Sequence, residues 1–152
     1  MFIYYICIYT ILLAGQYTQG CQLGNCPTPE SITPCLCRKD SRGCRLIHCD
    51  GYRDINLKQV FKSMSRELHG NNRELHVFSL TNTRVTELPE NVFASIQFDV
   101  INITNAYNLR RINSKAFYCT NAEIQSFKLE NTPVIVEHPD YDLFQALDSM
   151  EG

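Results

Sequence analysis

The chain has 152 residues, with 14 Lys+Arg against 16 Asp+Glu. That near-neutral balance offers no basic stripe for nucleic acid and no acidic tail. The length suits one domain, and 44% hydrophobic residues exclude a disordered chain.

The first stretch, MFIYYICIYTILLAG, is apolar and carries no charged side chain. It falls short of the ~20 apolar residues that span a bilayer. The polar stretch QYTQG follows and offers Thr18 and Gly20 as small residues. Residues 1–20 therefore read as a secretory signal peptide, cut after about Gly20, although no Lys or Arg precedes the apolar run. No second apolar run follows, so no membrane span is expected in the mature chain. The expected location is extracellular.

An oxidising compartment favours disulfides. Loss of Cys7 with the signal leaves Cys21, Cys26, Cys35, Cys37, Cys44, Cys49 and Cys119. The first six crowd into residues 21–51. The odd count points to a free thiol or an intermolecular bridge, with Cys119 as the isolated residue. In the next segment, 52–74, Leu57, Val60, Phe61, Met64 and Leu68 keep helical spacing, which predicts a short amphipathic helix. Gly70 suits a stop beyond Leu68.

Residues 75–147 repeat themselves. LHVFSLTNTRV at 75–85 returns as IQSFKLENTPV at 124–134, with FDVINITNA at 98–106 between them. Leu75, Phe78 and Leu80 align with Phe98, Ile101 and Ile103, then with Ile124, Phe127 and Leu129. Downstream, Phe93, Phe117 and Phe144 are expected to drop into the interior. The spacing of roughly 23 to 27 residues is that of leucine-rich repeats. Thr83, Ala106 and Thr132 then occupy the position usually held by Asn, where a side chain bonds a neighbouring turn. Ala106 can make no such bond. Residues 148–152 form a tail. With no cysteine-rich carboxy-terminal cap, Ile135, Val136, Leu143 and Leu147 are expected to fold over the last coil. The predicted fold class is an α/β solenoid, a leucine-rich repeat array of about three coils with a parallel sheet on its concave face. An ordinary β-sandwich fits the strands but not the fixed period.

The open end of such an array needs a cap. CPTPESITPCLCRKDSRGCRLIHC resembles the cysteine-rich amino-terminal cap of extracellular leucine-rich repeat proteins, on Cys26-Pro27, Cys35-x-Cys37 and Cys49. The resemblance implies Cys26–Cys37 and Cys35–Cys49 disulfides. Cys44 is extra. It is left to pair with Cys21, or either reaches Cys119. With Cys49-Asp50-Gly51, Asn82-Thr83 and Asn131-Thr132, residues 26–147 resemble small secreted arthropod leucine-rich repeat proteins. That group includes the non-catalytic subunit of a shrimp luciferase. The resemblance implies a companion role beside another protein.

No nucleophile elbow, P-loop or dinucleotide turn is present. Cys35, Cys37, Cys44, His48 and Cys49 do not have the spacing of zinc fingers. Asp140 and Asp142 read as solvated loop charge. Neither catalysis nor a cofactor or metal is expected. Asn102-Ile103-Thr104 fits the N-glycosylation sequon. The expected outward positions on the sheet are His76, Ser79, Thr81, Asp99, Asn102, Thr104, Gln125, Lys128 and Glu130, with Val77, Asn82, Val100, Asn105, Ser126 and Asn131 beside them. A glycan on Asn102 would cover the middle of that face. Tyr107, Tyr118 and Tyr141 mark an alternative docking edge. The expected function is a secreted, non-catalytic accessory protein that binds another protein, with Cys119 as a route to a disulfide-linked partner. The alternative is a toxin-like or inhibitor-like effector whose activity lies in residues 21–49.

Overall fold

A computed structural model describes residues 20–118, 120, 124–136, 138–139 and 141–150. Residues 1–19 of the expected signal peptide 1–20, Cys119 and Asp140 lie outside the described residues. Among the described residues, two sheets, three α-helices and one 3-10 turn (Gly70–Arg73) make up the fold. The main sheet has five strands in the order β1 (Leu36–Lys39), β2 (Arg45–Cys49), β3 (Glu74–Leu80), β5 (Gln97–Thr104) and β7 (Ser126–Glu130). The hairpin β1–β2 is antiparallel, and every later pairing in this sheet is parallel. A second, two-stranded parallel sheet joins β4 (Glu87–Leu88) to β6 (Arg111–Ile112).

The repeated phrases lie side by side. Leu75 pairs with Phe98, Phe78 pairs with Ile101 and Ile101 with Phe127, and Leu80 pairs with Ile103 and Ile103 with Leu129. Alternation along a strand sends Phe78 and Leu80, Ile101 and Ile103, and Phe127 and Leu129 to one side. Phe78, Leu80, Ile101 and Ile103 are fully buried there. Two residues past Cys49, Ile103 and Leu129, the chain turns through a left-handed conformation, at Gly51 (φ 89°), Asn105 (φ 55°) and Asn131 (φ 49°). Glycine and asparagine tolerate that region better than other residues.

The first repeat turns differently. Asn82, expected on the outward face, is fully buried. Its side-chain oxygen accepts from the backbone N–H of Arg84 and Val85, and its amide donates to the carbonyl of Arg53. The turn-bonding role expected at Thr83 thus falls one residue earlier, because the Asn82 amide can donate and accept at once. The Thr83 hydroxyl makes a long contact to the Gly51 carbonyl, to which the Thr83 N–H also donates at 2.9 Å.

Three helices flank the sheets. Helix α1 (Pro29–Ile32) is a single turn inside the cap. Helix α2 (Leu57–Glu67) is capped by Asn56, which accepts from the Gln59 N–H at 3.0 Å. It buries Leu57, Val60, Phe61 and Met64. Arg73 closes its other end, donating to the carbonyls of Ser65 and Leu68 at 2.7 Å each.

Phenylalanine rings run through the core. Phe61 of α2 meets Phe93 at 4.8 Å between centroids, Phe93 meets Phe98 at 5.2 Å, and Phe117 meets Phe127 at 5.6 Å. Most of these contacts are edge-to-face, the geometry that aromatic quadrupoles favour. Phe144 departs from the expected pattern. It is 60% exposed, while Leu143 and Ala146 are buried. Helix α3 (Leu143–Asp148) starts at its cap Asp142, and i, i+3 spacing then turns 143 and 146 inward. Ile135 and Val136 also differ from expectation. They are 47% and 39% exposed, and the Ile135 N–H is drawn to the Arg110 carbonyl beside β6 instead of folding over the last coil.

Candidate functional site

Three disulfides tie the cap together: Cys21–Cys44, Cys26–Cys37 and Cys35–Cys49. The six cysteines from Cys21 to Cys49 thus pair among themselves, which leaves Cys119 without a partner among them. Between these bonds lies Arg45, fully buried on β2. Its guanidinium donates to the carbonyls of Asn25, Asn72 and Glu74 at 2.9 to 3.2 Å. Burial lowers its pKa, and the Glu74 carboxylate partly offsets that. One cation therefore holds the first residues of the cap, the turn Gly70–Arg73 and the start of β3 together. Gly24 leaves room for it. A Cβ there would lie 2.9 Å from Asn72 Oδ1 and 3.0 Å from the guanidinium carbon.

The outer face of the sheet is uncovered. Pairing register aligns Leu36, His48, Ser79, Asn102 and Lys128 in one row across five strands. The next row is Arg38, Leu46, Val77, Val100 and Ser126. Of the expected outward residues, His76, Ser79, Thr81, Asp99, Asn102 and Thr104 are half-buried, while Gln125, Lys128 and Glu130 are exposed. The gradient follows strand position, because central strands shade each other's side chains. Asn82 is the residue removed from this face.

Charged groups on the face form a chain that the sequence pattern does not reveal. His76 Nδ1 lies 2.8 Å from Asp99 Oδ2. Its Nε2 lies 3.1 Å from an Arg42 nitrogen, and Arg42 also pairs with Asp40 at 3.1 Å. An arginine can only donate, so Nε2 accepts and Nδ1–H donates to Asp99. Burial raises the pKa of Asp40. The N–H groups of Cys44 and Arg42 and the Arg42 charge outweigh it and hold the carboxyl below its usual range. Four residues from the cap hairpin, β3 and β5 are thereby joined. No period links them, so a pattern search passes over them.

Metal binding does not fit this corner. Donor atoms of Asp40, Cys44 and His76 lie within 4.8 Å of one another. However, the Cys44 sulfur is bonded to Cys21 and offers no thiolate, the form that binds metals. His76 Nε2 is already satisfied by Arg42. Cys35, Cys37, Cys44 and Cys49 are all consumed by disulfides, so they offer no thiolate beside His48 either. A depression of about 480 Å³ lies elsewhere, between the start of α2 and residues 84–89. The alternative edge is also exposed at Tyr107 and Tyr118, whereas Tyr141 is half-buried beneath Arg111, whose guanidinium carbon is 5.2 Å from its ring centre.

No protein-family model matches the chain, and no curated protein and no solved structure matches it either. The three disulfides fit an oxidising, extracellular setting. Among the described residues, no helix is long and apolar enough to cross a membrane.

Proposed function

We propose that this chain is a secreted, non-catalytic binding protein, built as a short leucine-rich repeat array with a disulfide-bonded amino-terminal cap. It engages another protein through the open face of its sheet, as an accessory or subunit of a larger complex. The observation that carries this reading is the uncovered face, with five strands in register and a largely polar row, His48, Ser79, Asn102 and Lys128, beside a row that carries Leu46, Val77 and Val100. The parallel pairing of the three repeated phrases supports the repeat array. The His76–Asp99 pair supports a non-catalytic role, because the second nitrogen of that imidazole accepts from Arg42 and is not free to take a proton from a substrate.

The cap's integration favours this over an effector confined to residues 21–49. β2 pairs with β3 along four residues, and Arg45 bonds carbonyls at 72 and 74. A fragment 21–49 would lose both. Cys119 is proposed as the bridge to a covalently linked partner, and Asn102 as a glycan acceptor only in chains whose sheet face no partner occupies.

A photo-crosslinking side chain at Ser79, with another at Lys115 as control, tests the proposal in extracellular fluid of the source tissue. The expected result is one discrete crosslinked species from Ser79 that Asn102→Arg abolishes. Crosslinking equal from both positions would sink the face as the docking surface.

A further inference from the structure

Strand β7 ends the five-stranded sheet, and among the described residues no strand pairs with its outer edge. The inward residues register that open side. Ile101 and Ile103 on β5 are fully buried, but Phe127 and Leu129 on β7 are only partly buried. An unpaired edge is a template for another strand. Its outward residues then decide which strand can join. Lys128 and Glu130 carry opposite charges, are 56% and 51% exposed, and pair with each other. The opposite edge, β1, carries Arg38 and Lys39, of one sign.

We propose that β7 pairs antiparallel with β7 of a second copy of this chain, with Leu129 at the twofold axis. In that register Lys128 faces Glu130 of the second copy, and Glu130 faces its Lys128. The two Leu129 side chains meet on the inner side and cover the half-buried end of the core. Moving the twofold axis by one residue either way, a two-residue slide of one strand along the other, sets Lys128 against Lys128 or Glu130 against Glu130, and like charges directly opposite destabilise a strand pair. Charge therefore selects both the partner and the register. β1 cannot do the same, since its two charges, Arg38 and Lys39, are of one sign and no self-pairing of that strand sets opposite charges against each other. The contact is isologous and closes as a dimer. Such pairing leaves the outer face of the sheet free, so it stands apart from the proposed binding role.

The test uses the full mature chain carrying Cys119→Ser, so that mass reports non-covalent association only. Sedimentation is expected to show twice the chain mass at micromolar concentration. Lys128→Glu alone and Glu130→Lys alone each set two like-charge pairs across the edge and should weaken dimerisation by on the order of tenfold or more. The double variant restores complementarity and should recover the wild-type dimer. Mixing the two single variants should yield a heterodimer, because every charge then faces its opposite. That result also shows that both single variants are folded. A wild-type chain that stays at single-chain mass, single variants that dimerise like wild type, or a mixture that fails to associate overturns the proposal.

Discussion

His76 on β3 and Asp99 on β5 face each other at 2.8 Å on the outer side of the sheet. They sit one residue beyond Leu75 and Phe98, which pair on the inner side. One strand pair is thus held on both faces, by apolar packing beneath and by a charge-assisted hydrogen bond above. The hydrogen-bond chain runs on through Arg42 to the cap hairpin. His76→Ala should cost about 1 kcal/mol in chemical denaturation, in keeping with one partly exposed hydrogen-bonded pair. An unchanged midpoint would mean that the chain of charges contributes nothing to stability.

Arg45 should be far less tolerant. Its removal leaves the buried carbonyls of Asn25, Asn72 and Glu74 without their donor. Arg45→Ala is expected to cost roughly 3 kcal/mol or more. Arg45→Lys should recover little, because a point-like ammonium cannot span the carbonyls that the guanidinium fork reaches. Full recovery by lysine would show that charge alone matters. Gly24→Ala should also destabilise, by pushing a methyl group against the same guanidinium.

The phenylalanine core separates two residues of one type. Phe93 touches Phe61, Phe78, Phe98 and Phe117 and is fully buried. Phe93→Ala should lose about 3–5 kcal/mol. Phe144→Ala should change stability by no more than ~0.5 kcal/mol, since its ring faces outward. Equal losses at both positions would place Phe144 inside and refute the phase of α3.

Acid should loosen the contact between the cap and α2. The Ser31 hydroxyl, together with the Thr28 N–H and hydroxyl, holds the Glu67 carboxyl below its ordinary value of 4.5. A carboxyl lowered in the folded state contributes stability that is fully present above 4.5. That contribution is lost as pH falls from there through the lower folded value. Asp40 shifts in the same direction. Glu67→Gln should flatten the acid limb of a stability–pH curve by lowering its neutral plateau towards the acid value. A limb as steep as wild type would assign the acid response to other groups.

A glycan at Asn102 and a protein on the same face exclude each other. Asn102 lies between Ser79 and Lys128 in the middle of a row. Asn102→Gln should therefore bind a face-docking partner at least as well as wild type. Glycosidase-treated wild type should match it. If a chain shown by mass to be glycosylated binds as well as the bare one, the partner docks elsewhere, with the exposed Tyr107 and Tyr118 edge as the next place to probe.

Much of the inner face is legible in the sequence, because its spacing is local and repeated. Leu75, Phe78 and Leu80 announce one side of β3, and Leu57, Val60, Phe61 and Met64 announce one side of α2. Phe144 misleads because a helix turns about 100° per residue, so a start shifted by one residue exchanges buried for exposed. Asn82 misleads because strand alternation ends before it, and its amide is free to fold back onto the turn. The cluster of Asp40, Arg42, His76 and Asp99 leaves no trace in any period. It is assembled by strand pairing from separate segments, and nothing in a linear pattern encodes that meeting.

The three disulfides among the described residues all close within residues 21–49. A chain made from its amino terminus can therefore complete every one of them before Glu74, the first residue of β3, has left the ribosome. The hairpin is then covalently finished while the rest of the sheet has yet to arrive, and each later strand finds a rigid edge waiting instead of a loose coil. Oxidation becomes a timing device. Reduction before synthesis passes β3 should harm folding far more than the same reduction applied to the completed protein.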